Sequence, residues 1–219
     1  MIKKIDIAGI QLDNYYVREM ILKLEKKMEE NTFCTIGEIS MKNVLLAQEN
    51  ERVREAIDSL EHTLIVETGI LEAANQVTFQ RKREIEGNEF FFQFMKYLER
   101  SGKKIFLLGE TEECLQMVFD ILMEDYPKIK VVGIEATENC SVDWDAIINE
   151  INTASANVVI SLLPSPTQEY FLLDYKDKIS ASLWYGMEMG KFTGKRKGIW
   201  GKIQRIARKR KLEKLVKCD

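Results

Sequence analysis

Two short apolar runs constrain this chain most. Ile105-Phe106-Leu107-Leu108-Gly109 and Ala156-Asn157-Val158-Val159-Ile160-Ser161-Leu162-Leu163 carry no charged side chain. A strand with one wet face alternates apolar and polar residues. A strand in a parallel sheet is covered on both faces and reads as a continuous apolar run. Helical spacing surrounds both runs: residues 90–100 before the first, then Thr111 as a cap ahead of Leu115, Val118, Phe119 and Leu122, and residues 143–151 before the second. The pattern predicts an α/β fold, a largely parallel, Rossmann-like sheet flanked by helices.

The rest of the chain fits that scheme. Alternation around Gly9 predicts a short strand pair over residues 5–13, with Asn14 capping a helix that carries Val17, Ile21, Leu22, Leu24 and Met28. Further strands are expected at 32–36, 62–66, 128–132 (ended by Gly133) and 179–184. Helices are expected at 42–48, 51–60, from 70 to about 76, and from 167 to about 173. Ligands of such sheets bind beyond the carboxyl ends of the strands. Those ends are Glu67-Thr68-Gly69, Gly109-Glu110-Thr111, Gly133-Ile134-Glu135 and Pro164-Ser165-Pro166.

Charge divides the chain in two. Residues 191–219 hold twelve Lys and Arg against Glu213 and Asp219, a net +10, which leaves −13 on residues 1–190. The expected organisation is an acidic α/β domain over 1–190 and a basic appendage over 191–219. In the appendage Trp200, Ile203, Ile206 and Ala207 fall on one helical face, while Lys202, Arg205, Lys209 and Arg210 crowd the other. A basic amphipathic helix with an interfacial Trp suits an anionic membrane surface. The expected membrane-binding set is Lys195, Arg196, Lys197, Trp200, Lys202, Arg205, Arg208, Lys209, Arg210 and Lys211. No nucleic-acid-reading motif accompanies the charge. No apolar run approaches the ~18–20 residues of a membrane span, and no signal peptide opens the chain. The expected place is the cytoplasm, peripheral on the inner membrane face. Cys34, Cys114, Cys140 and Cys218 are scattered and read as free thiols. With His62 the single histidine, no zinc site is expected, and the spacing of Glu135 and Asp143 does not demand an ion.

Several segments together resemble the WecG/TagA/CpsF glycosyltransferases. They are Ile7-Ala8-Gly9-Ile10 with Asp13-Asn14; Leu46-Ala47-Gln48 followed by Val53-Arg54-Glu55-Ala56-Ile57; Gly102-Lys103-Lys104-Ile105-Phe106-Leu107-Leu108-Gly109; Tyr126-Pro127-Lys128-Ile129-Lys130-Val131-Val132-Gly133; and Pro166-Thr167-Gln168-Glu169. The basic tail is similar to that family's C-terminal appendage. The resemblance implies direct transfer of an N-acetylmannosamine or related sugar from a UDP donor to a lipid-linked acceptor, with no cofactor and no metal. It also implies an oligomer or a complex with another glycosyltransferase.

Carried onto this sequence, the resemblance implies Glu67 and Thr68 as the catalytic pair. Its donor site would take Ser40, Gly69, Arg83, Gly109, Ser165, Gln168 and Glu169. Departures stand beside these matches. Thr68-Gly69 replaces an Asp-Gly whose Asp is the family's proposed base. The family's Thr-x-Asn pair falls near Glu38-Ile39-Ser40 or at Thr35-Ile36-Gly37, without the Asn in either case. Glu84-Ile85-Glu86-Gly87 stands for Arg-Val-x-Gly, with Arg83 one position early, and Trp184-Tyr185-Gly186-Met187-Glu188 replaces Gly-Gly-x-Phe-Asp. Carboxylates thus gather at strand ends. One such group about 4 Å from a phosphate repels it by several kcal/mol at an effective dielectric of about 20. The alternative expectation is a catalytically inactive relative that serves an active transferase as partner or regulator.

Overall fold

A computed structural model describes residues 3–30, 32–138 and 142–187 of the chain. The appendage, and with it every expected membrane-binding residue, lies outside the described residues, as do Cys140 and Cys218. The chain opens with an antiparallel ribbon, β1 (Lys3–Ile7) and β2 (Ile10–Asn14). Ala8 and Gly9 make its turn at φ 53° and 81°, the left-handed region that glycine tolerates best. Then follow α1 (Val17–Glu29), β3 (Cys34–Ile39), α2 (Met41–Glu49), α3 (Glu51–Asp58), β4 (His62–Ile65), α4 (Thr68–Ala73), α5 (Phe79–Glu86) and α6 (Glu89–Ser101). The second half runs β5 (Lys104–Gly109), α7 (Glu112–Asp125), β6 (Lys130–Ala136), α8 (Trp144–Thr153), β7 (Val158–Leu162), α9 (Thr167–Tyr175) and β8 (Leu183–Gly186).

β3 to β8 form one six-stranded sheet in the order β4-β3-β8-β7-β5-β6, and every neighbouring pair is parallel. The apolar runs explain this. Along β5, Ile105 and Leu107 pack into one core with Phe94 and Leu98 of α6 and Val118 of α7. The alternate residues Phe106 and Leu108 pack into a second core with Ile148 of α8 and Phe171 of α9. Val158 and Ile160 of β7 divide from Val159 in the same way, as do Leu183 and Tyr185 of β8 from Trp184. This is the period-two alternation of a strand with both faces covered. A third core, with Ile10, Leu12, Val44, Val53, Ile57 and Ile70, ties the ribbon to α2, α3 and α4.

The structure revises several expected boundaries. Gly133 does not end its strand. β6 continues to Ala136 across a bulge in its pairing with β5, and a Cβ at Gly133 would lie 2.4 Å from the Phe106 ring. The glycine makes room for that ring. Residues 179–182 approach β8 without joining it. Asn14 closes β2, while Tyr16 caps α1. Helix α5 was absent from the expected set.

The strand order also locates the ligand-binding end. From β3 the chain moves outward to β4, and from β5 it moves outward to β6 before returning through β7 and β8. The reversal falls between β3 and β7, either side of β8, and in sheets of this kind the ligand crevice lies at the carboxyl ends there.

Candidate active site

Two helix starts meet at this crevice. Ser40 follows β3 and caps α2: its Oγ accepts from Asn43 N at 3.2 Å, and Asn43 Oδ1 accepts from Ser40 N at 2.9 Å. Asn43 then reaches across the sheet, donating from Nδ2 to Glu169 Oε1 of α9 at 3.3 Å. Ser165 Oγ donates to the same oxygen at 2.8 Å. Gln168 lies against Gly186 at the end of β8, where a Cβ would come within 2.8 Å of Gln168 Nε2. Only glycine leaves that amide its place. Gln168 and Glu169 are each 7% exposed, and Gln168 Oε1 and Glu169 Oε2 have no hydrogen-bond partner. An unpartnered buried acceptor costs about 1–3 kcal/mol, so both oxygens suit a ligand that donates.

Glu67 stands two residues beyond β4, and its Oε2 accepts from Met41 N at 2.8 Å. The carboxylate therefore covers the first turn of α2, favourable both as a hydrogen bond and against the helix dipole. It ties the β4–α4 turn to the β3–α2 turn. Thr68 and Gly69 begin α4 and are half-buried, and a Cβ on Gly69 would meet no atom within 4 Å.

A second polar group lies beside β3 and β4. Arg81 and Glu84 are 3% and 5% exposed and pair at 2.8 Å. Arg81 Nε donates to Asn14 Oδ1 at 3.1 Å. Glu84 also accepts from Val17 N at 3.2 Å and Gln80 Nε2 at 2.9 Å. Arg81 Nη2 and Asn88 Nδ2 are buried donors without a partner. With Glu38 and Val66 they line a cavity of about 20 Å³, roughly the room of one water. Glu38 accepts from the Tyr185 hydroxyl. Burial, then the neighbouring Glu38 carboxylate, pushes that phenol well above its ordinary range.

The structure thus brings Ser40, Ser165, Gln168 and Glu169 together, links Glu67 to them through Met41, and sets Thr68 and Gly69 alongside. It does not bring Arg83 or Gly109 to this cluster. Arg83 is 63% exposed, pairs with Glu89 at 3.7 Å, and lines a separate groove of about 680 Å³ with Phe79, Lys82 and Phe92. Gly109 closes β5, paired with Leu162 at the end of β7, and a Cβ there would meet Leu115 at 2.9 Å. Its smallness serves the packing of α7. Glu135 faces Glu150: burial and that second carboxylate raise its pKa. Asp143 instead caps α8 through Ala146 N at 3.0 Å.

Sequence reasoning missed Asn43, Arg81, Asn88 and Tyr185. Asn43 supplies a buried amide one turn beyond the Ser40 position where the expected Asn was lacking. Arg81 supplies a guanidinium one turn before Glu84, the position where the resemblance expects Arg. Ser40/Asn43 and Arg81/Glu84 are both i, i+3 pairs, a local signal that was available in the sequence.

The sequence profile of the Glycosyl transferase WecG/TagA/CpsF family matches residues 5–199, from the ribbon past the last strand. The chain belongs to this family. Among curated proteins it is similar to the N-acetylglucosaminyldiphosphoundecaprenol N-acetyl-beta-D-mannosaminyltransferases of Staphylococcus aureus strains COL and NCTC 8325 / PS 47. Identity to each is 20% over 188 residues, which is 84% of this chain and 72% of the relative.

Proposed function

We propose that the chain transfers an N-acetylhexosamine-type sugar from a UDP donor to a lipid-linked acceptor in cell-surface polysaccharide synthesis. The observation that carries this is the pair of unpartnered buried acceptors, Gln168 Oε1 and Glu169 Oε2, at the switch point of a family glycosyltransferase fold. A uracil imide and sugar hydroxyls are donors of the kind these oxygens lack. Arg81 Nη2 and Asn88 Nδ2 face room for about one water, so they bear on the donor site only through the packing of their segment.

In this reading Glu67 is the base. Met41 N fixes one of its oxygens, so the carboxylate is oriented before substrate arrives. The acceptor hydroxyl gives its proton to Glu67 as its oxygen attacks the anomeric carbon, and UDP leaves with the bonding electrons. Thr68 contributes a hydrogen bond to the sugar. The basic residues 191–219 recruit the protein to an anionic membrane, where a lipid-linked acceptor resides. Among the described residues no helix is long and apolar enough to cross a membrane.

A specific observation favours a second reading. The Glu67, Glu84 and Glu169 carboxylates each hold another element in place, as expected of a silent relative that kept the fold. A transfer assay separates the two readings, using full-length protein, UDP-N-acetylmannosamine and a short-chain polyprenyl-diphosphate-N-acetylglucosamine acceptor in anionic vesicles. Transfer that falls at least a hundredfold in Glu67→Gln supports catalysis. No transfer from the unsubstituted chain, or full activity in the variant, overturns the proposed role.

A further inference from the structure

The opposite end of the sheet carries a cluster that sugar transfer does not use. Cys34 opens β3, Glu61 immediately precedes β4 and His62 opens it, and one donor atom from each lies within 4.8 Å of the others. We propose that Cys34, Glu61 and His62 form a binding site for a borderline-soft divalent cation of the zinc class. A single histidine excludes His-rich ligand sets. It does not exclude a mixed thiolate, imidazole and carboxylate set, which is tetrahedral with water in the fourth position.

Four observations carry the assignment. First, His62 is 7% exposed, and its Nδ1 is buried without a hydrogen-bond partner. Its closest carboxylate, Asp13 Oδ2, stands 3.7 Å away, too far for a hydrogen bond. Second, the surroundings of the ring are fixed, which limits its reorientation. Asp13 is 3% exposed and itself fixed: Thr63 N donates to its Oδ2 at 3.1 Å, and its own N–H donates to Thr63 Oγ1 at 2.7 Å. Tyr15 stands edge-on to the imidazole at 6.4 Å. Third, the Glu61 side chain is 34% exposed, so an ion has a way in from solvent. Fourth, a thiol and an imidazole together select zinc-class ions over magnesium and calcium, which take oxygen ligands.

Ligand atoms around a tetrahedral zinc sit roughly 3.5 Å apart, so the cluster must close by about 1 Å on binding. Glu61 is the side chain free to do this. Its present partner is Lys27, 2.7 Å away, and Lys27 is therefore the competitor for the site. On binding, the Cys34 proton leaves to solvent and the sulfur becomes a thiolate ligand. In the present state burial, then the Glu61 carboxylate, pushes that thiol up to about 12; a dication reverses the sign of the local field. The bound ion would staple the starts of β3 and β4 and, through Asp13, the ribbon.

The test is a Co2+ titration of the reduced full-length chain, read by absorption and by displacement with Zn2+. One equivalent of Co2+ with thiolate-to-cobalt charge transfer is expected. Cys34→Ser should abolish that band, Glu61→Gln should weaken binding at least tenfold, and Lys27→Gln should tighten it. The proposal is overturned by absence of the band up to about 1 mM Co2+. It is equally overturned if the band survives in Cys34→Ser, which would assign it to another cysteine. Should Cys34→Ser fail to fold, the surface variants decide, and unchanged affinity in both overturns the site.

Discussion

The two halves of the sheet bury their side chains by different means. Around β5 and β7 the strands are apolar on both faces and meet Phe94, Leu98, Ile148 and Phe171. Around β3 and β4 the buried residues include Glu38, Ser40, Asn43, His62, Arg81 and Glu84. In the first half burial itself is favourable, at about 25 cal/mol per Å². In the second each buried polar group costs free energy until a partner offsets it. A chain keeps the second arrangement where something other than stability is selected, and Glu38, Ser40 and Asn43 lie toward the carboxyl ends of the strands.

The comparison can be strained from either side. Phe106→Ala in the apolar half removes a ring packed against Gly133, and should cost about 3–5 kcal/mol by denaturant unfolding. UDP affinity of the remaining folded protein should be unchanged. Glu84→Ala in the polar half should cost about 3 kcal/mol, because Arg81 is left buried and unpaired. The double substitution Arg81→Met/Glu84→Leu removes both charges and should restore most of that loss. A double variant no more stable than Glu84→Ala would erase the distinction between the halves.

Gln168→Ala should separate stability from function: unfolding free energy within about 1 kcal/mol of the parent, nucleotide affinity down at least tenfold. The smallest effect is expected at Glu135, outside the crevice. Its folded pKa is raised, so the native state binds more protons than the unfolded chain, and stability falls as pH rises from the unfolded value of 4.5 through the folded one. Glu135→Gln should therefore add a few tenths of a kcal/mol at pH 7 and nothing below pH about 4, measured by urea unfolding at both.

The same contrast governs what the sequence discloses. β5, β7, α7 with its Thr111 cap and α8 with its Asp143 cap are readable because their signals are local: an apolar run, a cap, a spacing. Helix α5 is not, because its buried positions are Arg81 and Glu84, so hydrophobic periodicity has nothing to register. β6 runs past Gly133 for a reason found on another strand, the Phe106 ring. In the candidate site Ser165 was legible from its place after a strand, and Ser40, Gln168 and Glu169 through the family resemblance. Asn43 had only its i, i+3 spacing from Ser40 to mark it, because its contact with Glu169 joins residues 126 positions apart.

The central claim is that the crevice between α2, α4 and α9 holds a nucleotide sugar. Calorimetric titration of the full-length chain with UDP and with UDP-N-acetylmannosamine, with and without Mg2+, tests it most directly. The account predicts saturable binding of both, independent of Mg2+ and at least tenfold weaker in Gln168→Ala. No heat of binding up to about millimolar nucleotide, or equal affinity in Gln168→Ala, would contradict it.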